Sequence, residues 1–270
     1  MASRQMLPSF IGLGAQRAGT TWLYGCLAEH PEVFMSREKE LYFFSKNYSL
    51  GHDWYAAHFA DAASAKALGE ITPDYMYRKP ALERIATDLP NVSGVIVLRN
   101  PIDRAISAYA LHVEQYPGLS FREAVDSDSR LIDRGFYTRH LETVYQYLPR
   151  ENVKLLFYDD IASAPERLLD ELFGFIGVSV GFRPSSIRKR VNRVIYPQLQ
   201  SRLTRYRLGW TVDIVKRTPV GSWILRRHSK PRRQSRMVTD DDVRWMSQMY
   251  ASEVASLSRL TGRDLEHWTV

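Results

Sequence analysis

The sequence predicts an α/β fold in which a central parallel sheet is flanked by helices, organised as one domain over residues 1–270. Three observations predict it. Short apolar runs recur along the chain, each passes into a stretch with apolar residues at helical spacing, and no internal repeat or low-complexity tract interrupts the alternation. "PSFIGLGA" (8–15) reads as a buried strand entering a loop, and Leu23 and Leu27 after Thr20 read as a helix ended by Pro31. "VSGVIVLR" (92–99) is a second strand. Asn100 suits the cap of the helix that follows, Pro101 suits its first position, and Ile102, Ile106, Tyr109 and Val113 share one face. "NVKLLFYDDI" (152–161) gives a third strand, followed by a helix over "APERLLDELFGFIGV" that closes at Gly177. "ALGEITPDYMY" (67–77) adds another strand and loop. A sheet of this kind binds ligands at the carboxyl ends of its strands. The core is expected over about 8–178, and an acid-capped amphipathic helix over about 239–262, where Met246, Met249, Tyr250, Val254 and Leu257 form a packing stripe.

Composition narrows the class. At 270 residues and 44% hydrophobic, the chain can bury a substantial core. The lone cysteine, Cys26, excludes an internal disulfide framework and fits a reducing compartment. The N-terminus lacks the layout of a secretory signal, and no apolar stretch reaches the length of a membrane span, so a cytoplasmic protein is expected. Net charge is +7, but residues 183–236 hold 16 Lys/Arg against Asp213 alone, which leaves −8 for the remainder. A region this basic can face nucleic acid, anionic lipid or an acidic substrate, and a merely solvated surface is the competing explanation. Tyr206, Trp210 and Trp223 interleave there as stacking platforms would, although no recognised nucleic-acid module is present. "GWTVDIVKRTPVGSWILRR" (209–227) offers peripheral contact with an anionic membrane.

The loop "GAQRAGTTW" (14–22) joins the first strand to the first helix. Gly14 and Gly19 have the spacing of a nucleotide phosphate-binding loop, giving the fold a three-layer, P-loop-like character. Thr20 stands where that motif has Lys, and the basic residue is Arg17. Such a loop grips one phosphate rather than a triphosphate chain, through the backbone from Arg17 onward and the Thr20 and Thr21 hydroxyls. No strand ends in the apolar-run-then-Asp pattern that holds magnesium, with "LLFYDD" coming nearest, and no metal is expected. The second strand ends at Arg99, and Ser107 follows eight residues later, two turns into the next helix. A guanidinium fork and a hydroxyl suit a second, separate phosphate. Two phosphate sites at neighbouring strand ends imply a nucleotide phosphorylated at two distant positions.

"QRAGTTW" and "RNPIDRAISAY" together resemble the 5′-phosphosulfate loop and the 3′-phosphate motif of sulfotransferases that use 3′-phosphoadenosine 5′-phosphosulfate. "KELYFF" (39–44), "DWYAAHF" (53–59), "GFYTRHLETVYQYLP" (135–149) and "RDLEHW" (263–268) extend the likeness toward the carbohydrate N- and O-sulfotransferases and their bacterial relatives. The resemblance implies donor contacts at Gln16, Arg17, Ala18, Gly19, Thr20, Thr21, Trp22, Arg99 and Ser107, with Arg17 in place of the family's usual Lys at the leaving oxygen. It implies Glu40 as general base, with Asp74 as second candidate or acceptor-binding group. Taken without the family match, Glu40 reads as an acid paired with Lys39 or Arg37. Ile71 stands where related enzymes often carry Lys. The loop closing over the nucleotide matches "IRKRVNRVIYPQL", with Arg190 and Arg193 as 3′-phosphate contacts, Lys189 beside them and Tyr196-Pro197 at its end. His52, His58 and His112 are expected to be structural.

The implied activity is sulfuryl transfer to a hydroxyl, with an amine as second choice, and adenosine 3′,5′-bisphosphate as product. A glycan is the expected acceptor, and a hydroxylated metabolite or lipid the alternative. Two rivals from other classes are a small-molecule P-loop kinase and a membrane- or nucleic-acid-binding protein acting through 183–236.

Overall fold

The computed structural model describes residues 6–62, 65–112, 115–188 and 238–269. The first strand, β1 (Phe10–Gly14), is buried at every residue, because its neighbours cover both edges and helices cover both faces. The chain continues through α1 (Thr20–Ala28), a short β2 (Val33–Met35), α2 (Gly51–Ala57), β3 (Ala67–Ile71) and α3 (Lys79–Asp88). On the other side of β1 come β4 (Ser93–Leu98), α4 (Pro101–His112), α5 (Phe121–Ser127), α6 (Arg130–Asp133) and α7 (Tyr137–Tyr147), then β5 (Val153–Phe157), α8 (Tyr158–Ser163) and α9 (Pro165–Phe175). A long helix, α10 (Asp240–Thr261), follows near the C-terminus.

All strand pairs are parallel and the order is β2-β3-β1-β4-β5. From β1 the chain departs toward β2, and from β4 it departs the opposite way toward β5. The carboxyl ends of β1 and β4 therefore flank the crevice where open α/β sheets bind ligands. Phe10 pairs with Gly69 of β3 and with Ser93 of β4, fixing the register that sets loop 15–19 beside Arg99.

The strands expected at 8–15 and 92–99 and the strand and loop expected over 67–77 lie where predicted, and Asn100 caps α4, its Oδ1 accepting the Ile102 N–H at 2.9 Å. The strand expected over 152–161 is shorter, since Tyr158–Ser163 turns helical. Asp159 and Asp160 fall in that helix's first turn, where carboxylates are favoured. Thr239 and Asp242 form a reciprocal capping box that starts α10, and Met246, Tyr250, Val254 and Leu257 bury its inner stripe. Among the described residues, no helix is long and apolar enough to cross a membrane.

The C-terminal segment locks onto the strand ends. Arg263 holds Asp160 with both Nη atoms and lies over the Phe157 ring at 4.1 Å. Trp268 is 1% exposed, donates from Nε1 to Asp159 at 2.8 Å, and accepts the Asn100 amide N–H on its carbonyl at 3.1 Å.

Candidate active site

The loop after β1 is shaped by two residues with left-handed backbone, Arg17 at φ 71° and Gly19 at φ 94°. The Ala18 N–H bonds to the Ala15 carbonyl at 3.2 Å, closing a turn within the loop, and the Ala15 N–H bonds to Val97 at 2.9 Å, anchoring the loop to β4. Gly19 is required for space as well as for conformation: a Cβ there would lie 2.9 Å from Ile161 Cδ1 and 3.1 Å from Tyr158. It is also the N-cap of α1, and no side chain fills the cap. The first-turn N–H groups at Thr20–Trp22 have no intrahelical partner by geometry, and the helix dipole reinforces their affinity for an anion. Ala18 and Trp22 are buried in the core, Thr20 is 6% exposed, and Thr21 faces solvent.

Arg17, Arg99 and Ser107 come together. Arg17 Nε donates to Ser107 Oγ at 3.1 Å, and Arg99 Nη1 donates to the Arg17 carbonyl at 3.2 Å. The Arg99 guanidinium lies 4.5 Å over the Tyr158 ring and 3.4 Å from the Asp103 carboxylate, while the Tyr137 hydroxyl holds its carbonyl at 2.8 Å. Arg99 Nε is buried, and no described residue accepts its hydrogen. A buried guanidinium N–H at a strand tip with no such partner can donate to an anion.

Glu40 and Tyr42 lie past the end of β2, at φ 67° and 51°. Together with Arg17 they are the non-glycine residues with positive φ among those described, and strained backbone of this kind gathers at functional sites. Lys39 Nζ meets Glu40 Oε1 at 2.5 Å, and the Tyr42 hydroxyl donates to Glu40 Oε2. Burial works to raise the Glu40 carboxyl. The Lys39 ammonium and Tyr42 hydroxyl outweigh it, so the group sits below the ordinary carboxylate range and is ionised at neutral pH. Burial, and then Glu40, push the Tyr42 hydroxyl well up, so it stays a donor. Arg37 pairs instead with Asp61.

Asp74 is 8% exposed, and Arg78 and Arg134 occupy both its oxygens. Arg134 also donates to Gln16, tying the loop after β1 to the loop after β3. These groups line a cleft of about 340 Å³ that Tyr42, Lys46 and Asp128 help enclose. Arg130 grips Asp128 at 2.7 and 2.9 Å, and this partner, opposed by burial and helped by the Tyr116 hydroxyl, lowers the Asp128 carboxyl to about 2.

Several participants were not singled out from sequence. Tyr42 lies inside "KELYFF", and Arg134 directly precedes "GFYTRH". Glu70 was detectable as an acid within an apolar strand, a costly placement without partners. Arg104 is fully buried, donating to the Leu131 carbonyl. Ile71 is also fully buried, packed against Gly12 in the core. His52 contacts Asp88 at 2.8 Å, and His58 stacks edge-on with Trp54; the side chain of His112 lies outside the described set. Arg190, Arg193, Lys189 and Tyr196-Pro197 also lie outside the described residues, as does most of the basic region. The "LLFYDD" acids are engaged by Trp268, His267 and Arg263.

The family model for the sulfotransferase domain matches residues 8–217, most of the chain. The chain belongs to the sulfotransferase family. This sulfotransferase is 29% identical over 184 residues to human heparan sulfate glucosamine 3-O-sulfotransferase 6, covering 65% of this chain and 54% of that protein. It is 28% identical over 195 residues to human bifunctional heparan sulfate N-deacetylase/N-sulfotransferase 3, covering 64% and 22%. A 111-residue stretch is 35% identical to the membrane-associated sulfotransferase kil1 of Dictyostelium discoideum, covering 40% and 24%. The chain thus spans about half the length of these relatives or less. The solved sulfotransferase of Alicyclobacillus acidocaldarius shares the fold, with a TM-score of 0.70, 23% identity, and coverage of 98% of this chain and 100% of that one.

Proposed function

We propose that this chain transfers a sulfuryl group from 3′-phosphoadenosine 5′-phosphosulfate to a hydroxyl of a glycan acceptor. The observation that carries the proposal is the convergence of Arg17, Arg99 and Ser107 beside the N-terminus of α1, with a buried Arg99 N–H that no described residue accepts. These residues fit a donor with phosphates at two ends. The α1 amides and Arg17 face one end, and Arg99 and Ser107 the other. When bound, the donor supplies the sulfuryl group and leaves as adenosine 3′,5′-bisphosphate.

Glu40 is assigned the acceptor proton. It is ionised, a third exposed, and oriented by Lys39 and Tyr42. Arg17 offsets charge on the leaving oxygen, and Arg134 keeps the loop containing Gln16 in place from the acceptor side. A glycan acceptor is supported by the names of the relatives, which specify heparan sulfate, and by Lys46, Arg78, Arg130 and Arg134 lining the cleft.

The test is transfer of labelled sulfate from the donor across a panel of polysaccharides, amino sugars and phenols, comparing wild type with Glu40→Gln. General-base catalysis contributes at least about a hundredfold. Glu40→Gln is expected to lose at least that much turnover while still binding the bisphosphate; full turnover would remove Glu40 from the role. Turnover with ATP and magnesium, and none with the sulfated donor, would favour a kinase.

A further inference from the structure

Glu70, in β3, is fully buried, and three hydroxyls donate to it. Tyr55 and Tyr75 reach Oε1 at 2.9 and 3.0 Å, and Thr72 reaches Oε2 at 2.7 Å. Burial pushes the carboxyl up, against the pull of these donors. Burying a carboxylate costs several kcal/mol, about what unmade hydrogen bonds or an unpaired charge cost elsewhere. An apolar strand residue at this position would avoid that cost.

The three donors share one further property. A hydroxyl has a single hydrogen, and each of these three gives it to a Glu70 oxygen. Thr72 and Tyr75 therefore aim their hydrogens at Glu70 and present lone pairs on the opposite side. The Tyr42 N–H reaches Thr72 Oγ1 at 3.4 Å, and the Phe44 N–H reaches the Tyr75 oxygen at 3.4 Å. Tyr55 stacks on Phe43 with ring centroids 4.3 Å apart and planes 7° from parallel. Tyr42, Phe43 and Phe44 are each held by a different donor of Glu70. Just upstream, the Glu40 N–H bonds to the Ile71 carbonyl at 3.0 Å. The segment so held contains two of the three left-handed non-glycine residues described, Glu40 and Tyr42, and such conformations persist only where the surroundings over-determine them.

We propose that Glu70 is a positioning residue for the transfer reaction, setting the hydrogen directions of Thr72, Tyr75 and Tyr55 so that segment 40–44 holds Glu40 on the hydroxyl of Tyr42, which lines the cleft. The inference rests on Glu40 being the general base. Glu70→Gln would place an amide donor against Thr72 or the tyrosines and turn a hydroxyl hydrogen toward the loop N–H it should accept. Thr72→Val removes one bracket without changing shape, and Thr72→Ser restores it.

The test is amide hydrogen exchange of the unliganded protein over residues 40–47, with kcat measured on the best acceptor from the panel. Glu70→Gln and Thr72→Val are expected to exchange there at least about tenfold faster, with β1 amides unchanged and Thr72→Ser like wild type. Their kcat should fall by a similar factor while affinity for adenosine 3′,5′-bisphosphate stays within about twofold. In a Glu40→Gln background neither variant should lower kcat further. Wild-type exchange over 40–47 in folded Glu70→Gln and Thr72→Val would overturn the bracket. Faster exchange with kcat unchanged, while Glu40→Gln is inactive, would overturn only the catalytic consequence. Full activity of Glu40→Gln would instead overturn the base assignment beneath it.

Discussion

Arg17 Nε donates to Ser107 Oγ at 3.1 Å, joining the loop after β1 to the second turn of α4 across 90 positions of sequence. The bond makes the two proposed phosphate-binding motifs one structure. The Arg17 side chain reaches Ser107 while its carbonyl accepts from Arg99 Nη1 at 3.2 Å, so the three residues close a triangle.

Ser107→Ala should weaken binding of adenosine 3′,5′-bisphosphate by at least about fivefold, the value of one hydrogen bond to a charged group being about 1.5–3 kcal/mol and part of it recoverable by water. Arg99→Ala should cost more, about tenfold or beyond, because it also releases the loop at Arg17. Titration calorimetry with the bisphosphate measures both. Equal affinities in wild type and Arg99→Ala would reject the assignment.

A second prediction concerns pH. Lys39 and Tyr42 hold the Glu40 carboxyl below its ordinary value against the opposing effect of burial. A general base works only when deprotonated, so activity falls as pH drops through that value. Lys39→Ala removes the larger lowering contact. The acidic limb of the kcat/KM profile should therefore move to higher pH. An unmoved limb would mean that the group titrating there is not Glu40.

How much of this was legible in sequence varies by residue. The strands at 10–14 and 93–98 announce themselves because a strand buried on both faces must be an unbroken apolar run. Gly19 was legible because both its spacing and its chemistry are local. β2 has three residues, too few to show a pattern. The partition of 152–161 into strand and helix depends on Asp159 and Asp160 finding Trp268 and Arg263 more than a hundred positions away. Arg134 was missed for the same reason, since its partners Gln16 and Asp74 are 118 and 60 residues distant. For Glu40, the ion pair with Lys39 and the proposed catalytic role hold together, because the ammonium keeps the carboxylate charged.

The C-terminal segment latches onto the strand ends through Asn100, Asp159 and Asp160. Arg263→Ala leaves the Asp160 carboxylate without its bidentate partner and uncovers the Phe157 ring. The loss should be about 1–3 kcal/mol, which at roughly 2–4 °C per kcal/mol for a chain of this size lowers Tm by several degrees. Calorimetric unfolding reads this directly. An unchanged Tm would show that "RDLEHW" does not stabilise the strand ends.

The most direct test of the central claim compares two ligands by titration calorimetry on the full chain: adenosine 3′,5′-bisphosphate and AMP. If Arg17 with the α1 amides grips one phosphate and Arg99 with Ser107 the other, the bisphosphate should bind at least about tenfold tighter, a difference of about 1.4 kcal/mol, and Arg99→Ala should erase that advantage. Equal affinity for the two ligands in wild type would contradict it.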